Sequence, residues 1–291
     1  MLNRDPGVDT GQAGYTFQDF PRGTPIVALT VAFAVVTVAV ARLRGLAALV
    51  GLAFAFFVML QFLLPGLLGD SSPTLISLVG SAAIMFVVLY LAHGFSARTT
   101  TALVGTLFGL ALVAVLGAVS VATARLTGLT SEETNTLNQF DPALDFSGLV
   151  LAGVVVAGLG VLNDVTITQA SAIWQLHEVD PEMTWRELYR RGMVVGRDHI
   201  ASTVYTIVFA YAGASLPLLM LFEVYAQPWD VVLTSSAMAE EVIRTLVGSI
   251  ALVLAVPVTT AAGAFFAKAA GTAAGSATER RVTALRARFA R

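Results

Sequence analysis

The sequence contains no cysteine and few charged residues, which make up 12% of its 291 positions. The absence of cysteine excludes disulfide bonds and thiolate metal sites. Hydrophobic residues make up 56% of the chain and the mean hydropathy is +0.79, which excludes an ordinary soluble fold. No basic surface is extensive enough for nucleic-acid binding. The composition therefore indicates a protein whose main partner is a lipid bilayer.

The motifs of common enzymes are also missing. The chain has no GxSxG element, no Ser-Lys dyad and no pair of intramembrane carboxylates suited to hydrolysis. Dinucleotide fingerprints are absent, and the histidines show neither i,i+4 pairing nor HExxH-type spacing. We therefore expect no enzymatic activity, no cofactor and no metal site.

Long apolar segments dominate what is present. A membrane-spanning helix needs about 20 mostly apolar residues. Seven segments qualify, at 25–42, 45–68, 73–95, 101–124, 147–174, 198–222 and 242–267. The sequence predicts an all-α, polytopic integral membrane protein. Its parts are an extracytoplasmic segment over residues 1–24, a seven-span domain over residues 25–268 and a basic cytoplasmic tail over residues 269–291.

The basic residues predict the orientation of these spans. With an external N-terminus, all but four of the 17 basic residues fall on the cytoplasmic side, the exceptions being Arg4, Arg22, Arg125 and Arg244. Cytoplasmic loops are enriched in Lys and Arg. We therefore expect a multi-pass protein of the cell membrane with its N-terminus outside and its C-terminus inside.

The fifth predicted span carries a carboxylate, Asp164, next to Asn163. A charged side chain at the centre of a spanning helix costs about 2.5–3.5 kcal/mol, so it normally faces a bundle interior or a water-filled path. Thr168 and Ser171 share the face of Asp164 at helical spacing. The next span adds further polar groups, Asp198, Ser202, Thr203 and Thr206, with His93, His199 and Tyr211 as secondary candidates. These residues predict a polar relay for ion- or proton-coupled transport.

Each of these residues also has a purely structural interpretation. Asp164 could cap a broken helix or pair with an arginine at the inner end of the bundle. The hydroxyls could bond to their own helix backbone, and Asp198 could satisfy free amides where the sixth span begins. His93 closes the third span and could act as a cap there. In that case the protein would be a non-enzymatic membrane assembly or scaffold subunit.

Several small features predict local structure. Thr184 and Glu187 form a capping-box pattern, which predicts a short interfacial helix ended by Gly192. Pro217 and Pro257 favour kinks. Three glycines of the fifth span favour close helix packing, namely Gly153, Gly158 and Gly160.

Six motifs occur in order: YTFQDFPRGTP, RLRGLAAL, LLPGLLGDSSP, LAHGFSARTTTAL, GLGVLNDVTITQASAIWQL and RRGMVVGRDHIASTVYTIVFAYAGASLPLL. Over nearly the whole chain they resemble the YibE/F family of polytopic membrane proteins. The resemblance implies a fold and little chemistry. Such proteins resemble a design with a further N-terminal span and an extracytoplasmic domain before the DFPR-like junction. The resemblance therefore implies either a shortened start or a minimal member.

A weaker resemblance concerns mechanism. The pair Asn163–Asp164, a short basic elbow and a Ser/Thr-rich span are similar to the proton-conducting half of SecD/SecF and resistance-nodulation-division transporters. This resemblance implies a six-span core with one additional span before it. The large outer domain of those transporters is reduced here to PGLLGDSSP. A homo-oligomer or a second membrane subunit could supply what is missing.

Overall fold

A computed structural model describes the backbone of residues 2–4, 15–17, 20–69, 71–226 and 228–289. Side chains are described for residues 20–69, 71–226 and 228–269. The chain divides into two compact units, Met1–Val50 and Gly51–Arg291. Most of the predicted extracytoplasmic segment and nearly all of the predicted basic tail therefore lie outside the described side chains.

The described elements are almost entirely helical. In chain order they are strands β1 (Leu2–Arg4) and β2 (Tyr15–Phe17), helix α1 (Gly23–Val58), a π-helical turn (Met59–Leu63), and helices α2 (Leu64–Leu67), α3 (Pro73–His93), α4 (Ala97–Thr123), α5 (Glu132–Phe140), α6 (Phe146–Val179), α7 (Trp185–Ala214), α8 (Leu216–Val224), α9 (Trp229–Thr234) and α10 (Ser236–Phe289). The two strands pair antiparallel. The all-α prediction is thus confirmed for the spanning part of the chain.

Helix α1 is interrupted at Arg42, whose φ of 54° and ψ of −131° are not helical. A Cβ atom placed on Gly45 would collide with the backbone carbonyl of Thr37. In a straight helix, eight residues would separate these two positions by about 12 Å. The chain therefore reverses its direction sharply at Arg42, and only glycine at position 45 leaves room for the close approach.

Five helical stretches are long and apolar enough to cross a membrane, or six when α7 and α8 count as one bent span. The predicted number of seven is not confirmed by this count, because the segments 25–42 and 45–68 both fall in the stretch Gly23–Leu67. A straight helix of its 45 residues would extend about 67 Å, against about 30 Å of hydrocarbon. The reversal at Arg42 divides this stretch into two arms.

Side-chain caps define where several helices begin. Ser96, Ser131, Asp145 and Thr184 each accept a hydrogen bond from a backbone N–H three residues later. These bonds satisfy amides that a helix start leaves free. The predicted capping role of Thr184 is therefore confirmed.

Helices α4, α6 and α10 form the core of the second unit, with α3 packed beside α4 and α6, and α7 beside α6 and α10. Glycine allows the close approach of α4 to α6, since a Cβ on Gly109 would collide with Leu162. Gly158 faces Val113, and a Cβ there would lie 3.1 Å from it. The packing prediction is wrong for Gly153, which faces only the Arg244 side chain, and for Gly160, which faces open space.

Two predictions about the sixth span are wrong. Helix α7 does not end at Gly192 but continues to Ala214. Glycine fits inside this helix because Ile173 of α6 occupies the space that a side chain would need. Asp198 consequently lies in the middle of α7 and cannot cap its start. The chain bends by 60° between α7 and α8, where Pro217 begins the new helix, so a kink at this proline is confirmed.

Candidate functional site

Asp164 lies near the middle of α6 and its side chain is exposed. Among the described residues, no hydrogen bond or ion pair to Asp164 is found. Thr168 is also exposed, Ser171 is half-buried, and the Oδ1 atom of Asn163 is buried without a hydrogen-bond partner. The sequence allowed a bundle interior or a water-filled path for Asp164. Because its side chain is exposed, Asp164 does not lie in the interior of the helix bundle that this single chain forms.

Asp164 belongs to a continuous face of α6 that lies between α3 and α7. On one side of this face, Val156 and Leu159 pack with the α3 residue Ile84. On the other side, Val165 packs with Ile207 of α7. Helix α6 also packs against α4 and α10 on its opposite side. The face that carries Asp164 is therefore the floor of a groove whose flanks are α3 and α7.

The predicted partners on α7 do not join Asp164. The Ser202 hydroxyl donates to the His199 carbonyl, and the Thr206 hydroxyl donates to the Ser202 carbonyl. Asp198 is exposed, whereas Thr203 and Tyr211 are half-buried. In the part of the chain that the structure describes, no hydrogen bond links these α7 side chains to Asn163 or Asp164. Bonding to the own helix backbone is thus observed for two of the hydroxyls.

A buried polar network that sequence reasoning missed lies on the opposite side of α6. The Thr106 and Thr166 hydroxyls are 2.6 Å apart and join α4 to α6. The Gln169 amide donates to the Gly192 carbonyl of α7 at 2.9 Å and to the Thr260 hydroxyl of α10 at 2.8 Å. Gln169 is only 1% exposed. These bonds hold four helices in one register.

The first turns of α10 contain a second group of polar residues, which lie around the predicted start of the last span. Glu240 is 8% exposed, and its Oε2 accepts a hydrogen bond from the Thr130 hydroxyl at 3.0 Å. Its Oε1 and the Nε of Arg244 are buried without hydrogen-bond partners. Arg244 pairs with Glu241 at 2.7 Å. We call Glu240, Glu241 and Arg244 the outer charged cluster.

The outer charged cluster is reached from one side by a cavity of 320 Å³ between α7, α8 and α10. Glu241, Tyr211, Ser215 and Thr245 are among its lining residues, but the surface that they leave accessible is almost entirely apolar. On another side, the guanidinium of Arg244 approaches Gly153 of α6. Charged side chains of the cluster thus reach both a cavity and Gly153, which shares the face of Asp164 on α6.

A sequence signal for the cluster existed. Glu240 and Arg244, four residues apart, would share one face of a helix that also contains Glu241. This spacing predicts that the last helix begins before residue 242. Helix α10 indeed begins at Ser236, six residues before the predicted start. For the network of Thr166 and Gln169, the signal was their three-residue spacing on a face opposite to Asp164.

A metal site in this chain would need several His, Asp or Glu side chains close together. No group of three or more His, Asp or Glu side chains that could hold a metal ion occurs within the described ranges. His93 ends α3 as its last residue, followed by Gly94 with φ of 76°. The polar groups around Asp164, in the buried network and in the outer charged cluster are therefore carboxylates, amides, hydroxyls and the Arg244 guanidinium.

Comparison with known proteins identifies a family. Searches of curated proteins and of solved structures give no match. The model of the YibE/F-like protein family matches residues 29–269, a range that contains α3 to α9, the larger part of α1, and the membrane part of α10. The matched range holds the α6 groove floor, the buried network and the outer charged cluster. The chain belongs to the YibE/F family.

Proposed function

We propose that this protein carries out ion-coupled transport, with protons as the coupling ion and Asp164 as the carboxylate that binds them. The observation that carries the proposal is a carboxylate midway along a membrane-spanning helix, exposed and unpaired among the described residues. Facing lipid, this group would cost about 2.5–3.5 kcal/mol. Water in a path removes that cost and delivers protons.

The neighbouring groups support a role in proton transfer. Thr168 and Ser171 continue the polar face toward the inner end of α6, and Asn163 adds an amide oxygen without a partner. Hydroxyl and amide groups can hold water molecules in a chain, because each can both donate and accept. Asp198, Ser202, Thr203 and Thr206 of α7 remain predicted members of the relay, although no hydrogen bond joins them to Asp164 in the described part of the chain. His93, His199 and Tyr211 are secondary candidates.

The membrane arrangement is part of the proposal. We propose seven spans, in which the two arms of Gly23–Leu67 cross separately and α7 with α8 forms one bent span. The N-terminus lies outside and the C-terminus inside the cell membrane, in keeping with the distribution of arginine. The similarity of the six-span core to SecD/SecF and resistance-nodulation-division transporters remains a prediction, as does a homo-oligomer or second membrane subunit.

The decisive experiment compares Asp164→Asn with wild type in proteoliposomes. Asparagine has nearly the same shape and keeps a donor and an acceptor, so the variant should insert and melt like wild type. Proton flux should fall by about 100-fold, the typical contribution of a positioned proton-transfer group. Glu178→Gln is the matched control, because Glu178 is an exposed carboxylate near the inner end of the same helix.

Normal flux in Asp164→Asn would exclude Asp164 from the transport route and favour a second function. The network of Gln169, Thr166 and Thr106 supports that alternative, since such bonds fix the register of helices without transporting anything. In that case the protein would be a membrane assembly or scaffold subunit. Removal of Gln169 would then weaken assembly, while Asp164→Asn would have no effect.

A further inference from the structure

We propose that the α6 groove is a water-filled proton path that connects the outer charged cluster to Asp164. This inference rests on the proposed function, because it names the outer half of the route to the same carboxylate. The residues on the floor of the groove, in order from the outer end, are Gly153, Ala157, Gly160, Asp164, Thr168, Ser171 and Gln175.

These residues form one stripe along the helix. With 100° between successive residues, Gly153, Ala157, Gly160 and Asp164 lie within about 60° of one another, and Gly153 is about 16 Å from Asp164 along the axis. The stripe continues to Gln175 over about 33 Å, slightly more than the hydrocarbon thickness of about 30 Å. It carries no large apolar side chain at any point.

The exposed surface of α4 shows which side chains this protein places where a helix faces lipid. Its exposed positions include Val104, Leu107, Phe108 and Val115, the last of which is 61% exposed. The α6 stripe differs from this surface of α4. Its outer half has glycine and alanine where α4 has large apolar side chains, and its inner half has polar side chains. Small residues leave space for water between α3 and α7.

The outer end of the stripe meets buried polar atoms without protein partners. Arg244 approaches Gly153, and Glu240 lies one turn earlier on the same face of α10. The Oε1 of Glu240 and the Nε of Arg244 have no hydrogen-bond partner in the described structure. An unmade bond at a buried polar atom costs about 1–3 kcal/mol. A water molecule accepts from Nε and donates to Oε1, so both atoms point to water at this end.

The path then works by simple proton exchange. A hydronium ion arriving from outside passes a proton to the Glu240 carboxylate and leaves as water. Protonated Glu240 gives this proton to water in the groove, and Asp164 takes it from that water. No oxidant or other reactant is needed, and every proton leaves one oxygen for another.

The test uses the absence of cysteine in the chain. Gly160→Cys introduces a thiol on the groove floor, where a side chain meets open space. Ala111→Cys is the matched control, because Ala111 is small and exposed. It lies at about the same depth as Gly160, because α4 and α6 are antiparallel and Gly109 of α4 packs on Leu162 of α6. A membrane-impermeant cationic thiosulfonate is added from outside to intact vesicles.

The expected result is that Gly160→Cys reacts about tenfold faster than Ala111→Cys or more, because the reactive thiolate forms in water and not in lipid. Glu240→Gln should slow proton uptake from the outer side severalfold. Equally slow labelling of both cysteines would show that the groove does not contain water and would overturn the proposal. A disulfide between two copies through Gly160→Cys would overturn it too, since the face would then be a contact between copies.

Failure of this inference is distinguishable from failure of the proposed function. If Asp164→Asn abolishes flux but Gly160→Cys stays unreactive, transport stands and the route along α6 is wrong. If Gly160→Cys reacts rapidly but Asp164→Asn conducts normally, the groove contains water and transport through Asp164 is wrong.

Discussion

Helix α6 carries two separate polar faces. Asp164 and Thr168 form one face, and Thr166 and Gln169 form the other, each at helical spacing. Helical spacing alone does not tell which face meets other helices. The structure packs Thr166 and Gln169 against α4, α7 and α10, because their neutral groups find partners there. The charged group is left in the groove.

Gln169 is the residue whose removal should affect stability most directly. In Gln169→Leu, two interhelical hydrogen bonds are lost, but Thr260 keeps its bond to the Val256 carbonyl at 2.7 Å. With about 0.6 kcal/mol for a typical interhelical bond in a membrane, we expect a loss of about 1–2 kcal/mol. The measurement is the free energy of unfolding in mixed micelles.

The control for this change is Gln175→Leu, since Gln175 lies on the same helix but is exposed. It should unfold with the free energy of wild type to within about 0.5 kcal/mol. Equal effects of the two substitutions would show that the hydrogen bonds of Gln169 contribute nothing beyond side-chain size.

Between helices, the close contact of α4 with α6 and α10 depends on glycine. A Cβ atom on Gly105 would collide with the Thr259 hydroxyl of α10 and lie 3.3 Å from the Thr166 methyl group. We therefore expect Gly105→Ala to lower the free energy of unfolding by about 1–3 kcal/mol through overpacking. Thermal melting in detergent is the measurement.

Gly160→Ala is the matched control for Gly105→Ala, because it adds the same methyl group where nothing lies within 4 Å. Its melting temperature should equal that of wild type or rise slightly, since alanine favours a helix over glycine. A lower melting temperature in Gly160→Ala than in Gly105→Ala would contradict the assignment of these two faces.

The boundaries of the helices show what local sequence can predict. Thr184 was recognised as a cap because its partner, the N–H of Glu187, lies three residues away. The prediction that a helix ends at Gly192 is wrong because the role of this glycine depends on Ile173, which is distant in sequence. Asp198 was misplaced for the same reason, since its position in α7 follows from a helix that does not end at Gly192. Local bonds were predictable, and contacts between helices were not.

For the chain as a unit, the orientation in the membrane is the property most open to test. Gln139→Cys lies on exposed α5, and Glu182→Cys lies in the exposed turn between α6 and α7. With an external N-terminus, the first should react with an impermeant thiol reagent added outside intact cells, and the second only after the cells are opened. Labelling of both cysteines from the same side would falsify the proposed arrangement.

The sharp reversal of α1 at Arg42 has a consequence for how the protein is made. Both arms of Gly23–Leu67 leave the ribosome within about 2–9 s at ordinary rates of synthesis, so they can enter the bilayer together. In the proposed orientation, Arg42 and Arg44 at the reversal stay on the side of synthesis, as expected for basic residues. The first arm therefore need not be stable alone in lipid, because its partner arrives before it must anchor the nascent chain.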